Sequence, residues 1–338
     1  MMKRFKVGVV GLRFGQFLVR ALAHLECAQL VAVADRNPNI AEGLDTYAAR
    51  YGARAYRSSD EMFASEALDA VVIATAPTSR AEIIEQAAAR GIAMFVEKPW
   101  ASNPTHAAQL EDICRRHDAA VMLGFSFRFH PAIARLKQLM SDELGECWML
   151  NGEYVFDYLP SANGWFWDPE NGNGMFNENS CHLFDAVCYL MGKPVSLTAE
   201  AAQFVGRPAE EAAAISLKFE SGAIAALTVG GYGANGHWDF PRIDITTEHG
   251  QARLRGRHHM WDSLTWAKRS GDTVSTFTQP PEILGTTRYT QAFTHFFECL
   301  SKGAEPLATI EDGMLSVAIA DAVTRSARSG NKVMLDIA

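Results

Sequence analysis

The chain has 338 residues, 31 Lys+Arg against 39 Asp+Glu for a net charge of −8, and 48% hydrophobic residues. That length favours two domains with ample core, the acidic balance argues against nucleic acid as a partner, and the apolar fraction excludes disorder. No 18-residue apolar run lacks a charge and the first apolar stretch, 7–12, is too short for a signal-peptide core, so a cytoplasmic protein with no membrane partner is expected. Six cysteines without a C-x-x-C pair argue against a disulfide framework or a zinc ribbon.

In chain order, short β-branched runs predict strands at 5–10, 30–34, 70–75, 93–96 and 120–123, alternating with helical patterns. Phe14, Phe17, Leu18, Ala21, Leu22 and Leu25 follow one stripe of a 3.6-residue period, as in a helix laid on a sheet. Ser79 with Glu82 predicts a capping box, Gly91 a left-handed helix stop, and Asn103-Pro104 the opening of a further helix. Such alternation requires a parallel sheet with crossover helices. Beyond Arg128 the texture changes. Consecutive strands are expected at 144–156, 195–205, 212–219, 223–230, 242–247, 251–255 and 263–268, with helices at 175–191, 288–300 and 312–328. The expected division is 1–124 and 125–338, with no linker or internal repeat.

Gly8, Gly11 and Gly15 stand where the first strand meets its helix, so that backbone N–H groups and the positive helix end can face a dinucleotide pyrophosphate. Leu12, Arg13 and Phe14 follow Gly11, which breaks the usual G-x-G-x-x-G, and glycines serving only a tight turn remain the alternative. Asp35, twenty residues past Gly15, ends the second strand and can accept both adenosine-ribose hydroxyls of NAD. Arg36 beside it suits either the 2′-phosphate of NADP or a solvated loop.

Glu97-Lys98-Pro99 follows the strand at 93–96, at the carboxyl edge where open α/β sheets bind ligands, and an ammonium there can hold a substrate oxygen. Glu178, His182 and Asp185 share one face of a regular helix, as a proton-transfer pair with a further carboxylate or as a surface ion pair. No third residue has metal-ligand spacing and H-E-x-x-H is absent, so no metal is expected. Trp165, Phe166 and Trp167, with Asp168 and Asn171, either offer aromatic faces to a sugar ring or pack their loop. Arg253, Arg255 and Arg257 alternate along a strand as one solvated face. Neither a G-x-S-x-G elbow nor a G-x-x-x-x-G-K-[ST] loop is present.

Taken together, these segments resemble the Gfo/Idh/MocA oxidoreductase family, which includes inositol and glucose-fructose oxidoreductases. The resemblance spans nearly the whole chain. It rests on Gly8-Val9-Val10-Gly11, Val31-Ala32-Val33-Ala34-Asp35, Ala74-Thr75-Ala76-Pro77 and Glu97-Lys98-Pro99. It continues in Gly124-Phe125-Ser126-Phe127-Arg128-Phe129-His130-Pro131 and in 172–185, similar to the family's D-x-x-x-H-x-x-D helix. Four positions depart: Arg13 with a shortened turn, Glu178 in place of aspartate, Ser180 in place of glycine, and Arg80 where a histidine is common.

The resemblance implies an α/β Rossmann-like N-terminal domain and an α+β C-terminal domain with a largely antiparallel open sheet, one face of which pairs copies into a homodimer or homotetramer. It implies NAD, with NADP as the alternative, held by Gly8, Gly11, Arg13, Phe14, Gly15, Asp35, Arg36, Thr75, Ala76, Pro77, Glu97 and Lys98. Catalysis would fall to Lys98 and His182 with Glu178, and a small carbohydrate-like substrate to Arg128, Trp165, Trp167 and Asn179. The expected reaction passes a hydride between nicotinamide and the carbinol carbon of a sugar, polyol or related hydroxy compound, while Lys98 holds the oxygen and His182 exchanges its proton. A non-catalytic nucleotide-binding sensor or scaffold of the same fold is the alternative, disfavoured by the retention of Lys98 with His182. Asp35 together with Glu97-Lys98-Pro99 disfavours a methyltransferase-like nucleotide binder.

Overall fold

The computed structural model describes residues 4–36, 40–158, 160, 165–168, 174–234, 240–257, 260–279 and 284–335. The chain forms two compact units: Met1–Ala101, Thr105–Ser126 and Thr286–Gly313 in the first, Ser102–Pro104, Phe127–Gly285 and Met314–Ala338 in the second.

The chain begins with β1 (Phe5–Val10), α1 (Gly15–Leu22), β2 (Ala28–Ala34), α2 (Leu44–Arg50), β3 (Arg54–Tyr56) and α3 (Ser59–Ser65). It continues through β4 (Ala70–Ile73), α4 (Arg80–Ala88), β5 (Ala93–Val96), α5 (Pro104–Arg116) and β6 (Val121–Leu123). The strands pair in parallel in the order β3-β2-β1-β4-β5-β6. Both faces are covered, so β4 and β5 are buried at every residue and read as continuous apolar runs rather than alternating ones. The three-residue β3 carries too little pattern for sequence reading and was not expected; nor was α3, whose Ser58 cap accepts from the Glu61 N–H at 3.1 Å. The capping box expected at Ser79 does not form. Pro77–Ser79 is a 3-10 turn, and the Ser79 hydroxyl donates back to the Ala76 carbonyl at 2.9 Å. Gly91, at φ +66°, ends α4 as expected.

Next, α6 (Pro131–Leu139) runs into a π-helical turn, Met140–Leu144, closed by Gly145 at φ +73°. The strand expected from 144 therefore starts later, as β7 (Cys147–Val155). There follow α7 (Cys181–Met191), β8 (Pro194–Ala202), β9 (Ala212–Phe219), β10 (Ile224–Gly230), β11 (Arg242–Thr247) and β12 (Gly250–Arg257). The chain closes with β13 (Met260–Lys268), β14 (Val274–Thr278), α8 (Leu284–Lys302), α9 (Ile310–Ser329) and β15 (Val333–Met334). Among the described residues the second sheet has nine strands in the order β14-β13-β12-β11-β7-β10-β9-β8-β15. It is mixed: β7 and β10 pair in parallel and the other neighbours antiparallel.

One face of this sheet forms the second core. Ala213, Ile215, Leu217 and Phe219 of β9 are buried on it, while Ala214, Ser216 and Lys218 between them are exposed. Helix α7 lies close to β7 because Gly152 has no side chain; a Cβ there would stand 3.3 Å from Leu183 Cδ1. The other face carries the half-exposed Trp148, Met149 and Ile224, and on it Arg253 and Arg255 pair with Asp244 at 3.5 and 2.7 Å.

Residues 286–313, expected in the second region, belong to the first unit. Aromatic packing explains this: Phe293 and Phe296 lie 4.6 and 6.0 Å from Phe95, and Phe297 stacks on Phe5 at 5.0 Å. The stretch Thr105–Ser126, which ends close to the expected division after 124, belongs to the first unit and Ser102–Pro104 to the second. Among the described residues no helix is long and apolar enough to cross a membrane.

Candidate active site

The turn after β1 is built on Gly11. Its φ is +86° and a Cβ there would meet the Ala74 carbonyl oxygen at 2.8 Å, so only glycine fits. The Gly11 N–H donates to the Ala34 carbonyl at 2.9 Å, and the Leu12 N–H donates to Asp35 Oδ2 at 2.6 Å. These two bonds tie the turn to the end of β2 and hold the Asp35 carboxylate beside it. Phe14 precedes α1 without a side-chain cap. Arg13, Phe14 and Arg36 are all exposed. Gly15 opens α1 against Val9, its Cβ position 3.3 Å from Val9 Cγ1. Gly8 has a different role from the one expected: it lies inside β1 and makes room for Leu68 and Met62, which a Cβ would meet at 2.8 and 3.1 Å. It is a packing glycine of the sheet face.

Thr75 and Ala76 follow β4 and are partly exposed, and Pro77 is buried. Thr75 Oγ1 is buried without a hydrogen-bond partner among the described residues. A dinucleotide fits this set, because the orphaned hydroxyl, the Asp35 carboxylate and the uncapped start of α1 border strand ends at the carboxyl edge.

At the end of β5, Glu97 is buried and its Oε1 packs over Gly124, where a Cβ would stand 2.9 Å from it. Lys98 is half-buried and its bond to Pro99 is cis. Trp100 is fully buried and donates Nε1–H to the Ala107 carbonyl at 3.3 Å. The roles of two further side chains of this unit escaped sequence reading. Arg80 is buried and donates to backbone carbonyls of both loops. Tyr289, on α8, is buried with its ring 5.9 Å from Phe14. Burial pushes its hydroxyl pKa up, Arg288 pulls it down, and Glu97 and Lys98 act in opposite directions, so it belongs to the surroundings of Lys98.

In the second unit His182 lies in the first turn of α7. Its ring stacks on Phe127 at 4.7 Å with planes 22° apart, and Tyr154 meets it edge-on at 6.2 Å. Glu178 and Asn179 lie on a π-helical turn, Phe176–Ser180, which the α-helical expectation missed. The Ser180 hydroxyl donates to the Met175 carbonyl at 3.0 Å, the five-residue reach of such a turn. The shared face expected for Glu178 and His182 from regular α spacing therefore does not carry over unchanged. Asn179 Nδ2 is buried with no hydrogen-bond partner among the described residues.

Asp185 is engaged from another side. It takes the guanidinium of Arg128, with Nη2 2.6 Å and Nε 3.0 Å from Oδ1, and Arg128 also lies over the Tyr189 ring at 4.9 Å. Arg128, expected to contact substrate, is nearly inaccessible and has its guanidinium edge taken up by Asp185. Trp167 also turns inward: it is buried and donates Nε1–H to the Pro160 carbonyl at 3.1 Å. The side chain of Trp165, and Asn171, lie outside the described residues. Among the described residues no three His, Cys, Asp or Glu side chains gather as a metal site.

The sheet order and the glycine turn beside a carboxylate define a nucleotide-binding α/β domain. Comparison with known families identifies it further: a model described as an oxidoreductase family's NAD-binding Rossmann fold matches residues 5–125, and that of its C-terminal alpha/beta domain matches residues 137–335. The chain belongs to the Gfo/Idh/MocA oxidoreductase family. It is 29% identical over 343 residues to inositol 2-dehydrogenase of Rhizobium meliloti (strain 1021), covering 98% of this chain and 99% of that protein. D-apiose dehydrogenase of Paraburkholderia graminis is 26% identical over 348 residues, with 98% and 90% covered. The solved structure of levoglucosan dehydrogenase in complex with NADH and levoglucosan matches with a TM-score of 0.89 at 20% identity, covering 99% of this chain and 100% of that one, and shows the shared fold.

Proposed function

We propose that the protein is an NAD-dependent dehydrogenase that acts on a CH–OH group of a sugar, polyol or related hydroxy compound. The observation that carries the reading is the first unit's carboxyl edge, where the Gly11 turn, the Asp35 carboxylate held by Leu12 and the half-buried Lys98 follow the ends of β1, β2 and β5 of one parallel sheet. Family membership and relatives that act on inositol and apiose support it. Asp35 accepts hydrogen bonds from the adenosine ribose, and its charge disfavours a 2′-phosphate. The nicotinamide ring, when bound, supplies the hydride acceptor or donor. Lys98 donates a hydrogen bond to the reacting oxygen and stabilises negative charge developing there. His182 takes the hydroxyl proton in the oxidative direction and returns it in reduction. Glu178 and the Asn179 amide orient substrate hydroxyls. We further infer a cytoplasmic enzyme that associates through the sheet face bearing Trp148, Met149 and Ile224.

The test is a panel of sugars, inositols and sugar acids assayed with NAD and NADP. On the best substrate, Lys98→Ala and His182→Ala each lower kcat about 10²- to 10⁴-fold with cofactor affinity near wild type. A double variant that keeps wild-type kcat/KM refutes the mechanism. Dinucleotide binding without turnover on any panel member supports a sensor instead.

A further inference from the structure

Arg80 stands in the first turn of α4 and is 1% exposed. Its Nε and Nη2 both donate to the Thr75 carbonyl, at 3.1 and 2.7 Å. Its Nη1 donates to the Pro99 carbonyl and reaches that of Trp100 at 3.4 Å. Thr75 lies just beyond β4 and Pro99 just beyond β5, strands paired in parallel from Ala70 with Ala93 to Ile73 with Val96. One side chain thus spans the carboxyl edge between two adjacent loops, one with Thr75, Ala76 and Pro77, the other with Lys98.

The chemistry of the group fits a clamp. A guanidinium stays charged and presents its donors in a rigid planar fork, so carbonyls bound to different edges of it are held at a set separation. An apolar side chain would fill the same volume without desolvating a charge, so volume alone does not account for arginine here. Pro99 is bonded directly to Lys98, and a fixed Pro99 carbonyl restrains Lys98 from its C-terminal side. From the N-terminal side, the Glu97 N–H donates to the Ile73 carbonyl at 2.9 Å. Beyond the clamp, Trp100 is wedged where Gly313 has no side chain; a Cβ on Gly313 would stand 2.8 Å from that of Trp100.

We propose that Arg80 is a positioning residue of the reaction: it clamps the Lys98 loop to the Thr75 loop and so sets the place of the Lys98 ammonium relative to the cofactor-binding loop. The proposal rests on the reading that Lys98 holds the reacting oxygen. It gives Arg80 a task in turnover, acting through Lys98, that is separate from holding the fold.

A double-mutant cycle with Lys98 tests it. Arg80→Gln keeps an amide donor but loses the fork and the charge, and is expected to lower kcat about 10- to 100-fold, as for a displaced reacting group. Its dissociation constant for NAD, read by fluorescence titration, stays within about threefold of wild type. With Lys98→Ala already present, Arg80→Gln changes the residual kcat by less than about twofold, because no ammonium remains to be misplaced. Arg80→Lys recovers part of the rate, and it replaces Arg80→Gln in the cycle if the latter does not fold. Equal losses in the presence and absence of Lys98, or wild-type kcat in folded Arg80→Gln, overturn the proposal. If Lys98→Ala alone leaves kcat/KM unchanged, the role of Lys98 fails first and the clamp falls with it, a result distinct from additivity.

Discussion

The Arg128–Asp185 pair gives the sharpest test of the second unit. Both side chains are nearly inaccessible, at 5% and 1% exposure, and the closest contact is 2.6 Å. Asp185→Ala removes the carboxylate that the buried guanidinium grips through Nε and Nη2, although the Tyr189 ring still faces it at 4.9 Å. Breaking one side of such a pair costs about 3–5 kcal/mol, whereas exchanging both sides for apolar residues of similar volume is often neutral or stabilising. Asp185→Asn keeps an acceptor oxygen and loses the charge, so its cost is smaller, about 1–3 kcal/mol. Arg128→Met with Asp185→Leu should come back to within about 1 kcal/mol of wild type. Urea unfolding followed by tryptophan fluorescence reads this, since Trp167 and Trp261 are buried in the second unit. A loss below about 1 kcal/mol for Asp185→Ala, or a double variant as unstable as the single one, refutes a structural role for the pair. The same double variant separates that role from substrate binding: with stability restored, loss of an Arg128 that bound substrate would still raise KM.

At the cofactor end, the role proposed for Asp35 predicts that NADP binds roughly tenfold or more weakly than NAD and that Asp35→Ser narrows the gap; tighter NADP binding by the wild type reverses the assignment. The self-association proposed through the face bearing Trp148 and Met149 predicts that the wild type sediments at a multiple of 37.1 kDa and that Trp148→Glu or Met149→Arg moves it towards 37.1 kDa; a wild type already at the single-chain mass removes the interface. The stability of the first unit should fall as pH drops. Burial lowers the pKa of His295, and burial followed by the charge of Arg80 lowers that of His106, so below about pH 6.5 the unfolded chain binds more protons than the folded one. His295 also accepts the Leu307 N–H on Nε2 at 2.9 Å, which needs an unprotonated nitrogen. Stability is thus fully present above the unfolded pKa and declines towards pH 5; an unchanged pH slope in a His106→Gln, His295→Gln variant contradicts this.

What sequence reading recovered is what a few neighbouring residues encode. The limits of β1, β5, β9 and β11 followed from runs of β-branched and apolar residues bounded by turn formers, and Gly91 from its place after a helix. The Gly11–Asp35 pairing was legible because a strand, a turn and a helix fix that spacing in any such domain. The misreadings arose where the same residue type answers two demands. Gly8 serves packing against Met62 and Leu68, Trp167 fills the core, and Ser79 bonds Ala76 because Pro77 starts a 3-10 turn ahead of it. The π-turn at Phe176–Ser180 left no separate mark in the apolar period.

Contacts distant in the chain were illegible for a plainer reason. Arg128 and Asp185 are separated by 57 residues, Arg80 and Pro99 by 19, and periodicity says nothing about partners at such range. Arg80 could be read only as a departure from the histidine common in the family, with no indication of its use. Its position in the first turn of α4 even reads as unfavourable, since a cation there meets the positive end of the helix dipole. The structure resolves that conflict: the guanidinium turns away from the helix and its donors meet carbonyls of Thr75, Pro99 and Trp100. A charge placed against its local electrostatics and then buried is held by what it binds farther along the chain. Here those acceptors lie in the loops on either side of the β4 and β5 ends, which is why a helix residue governs where Lys98 stands.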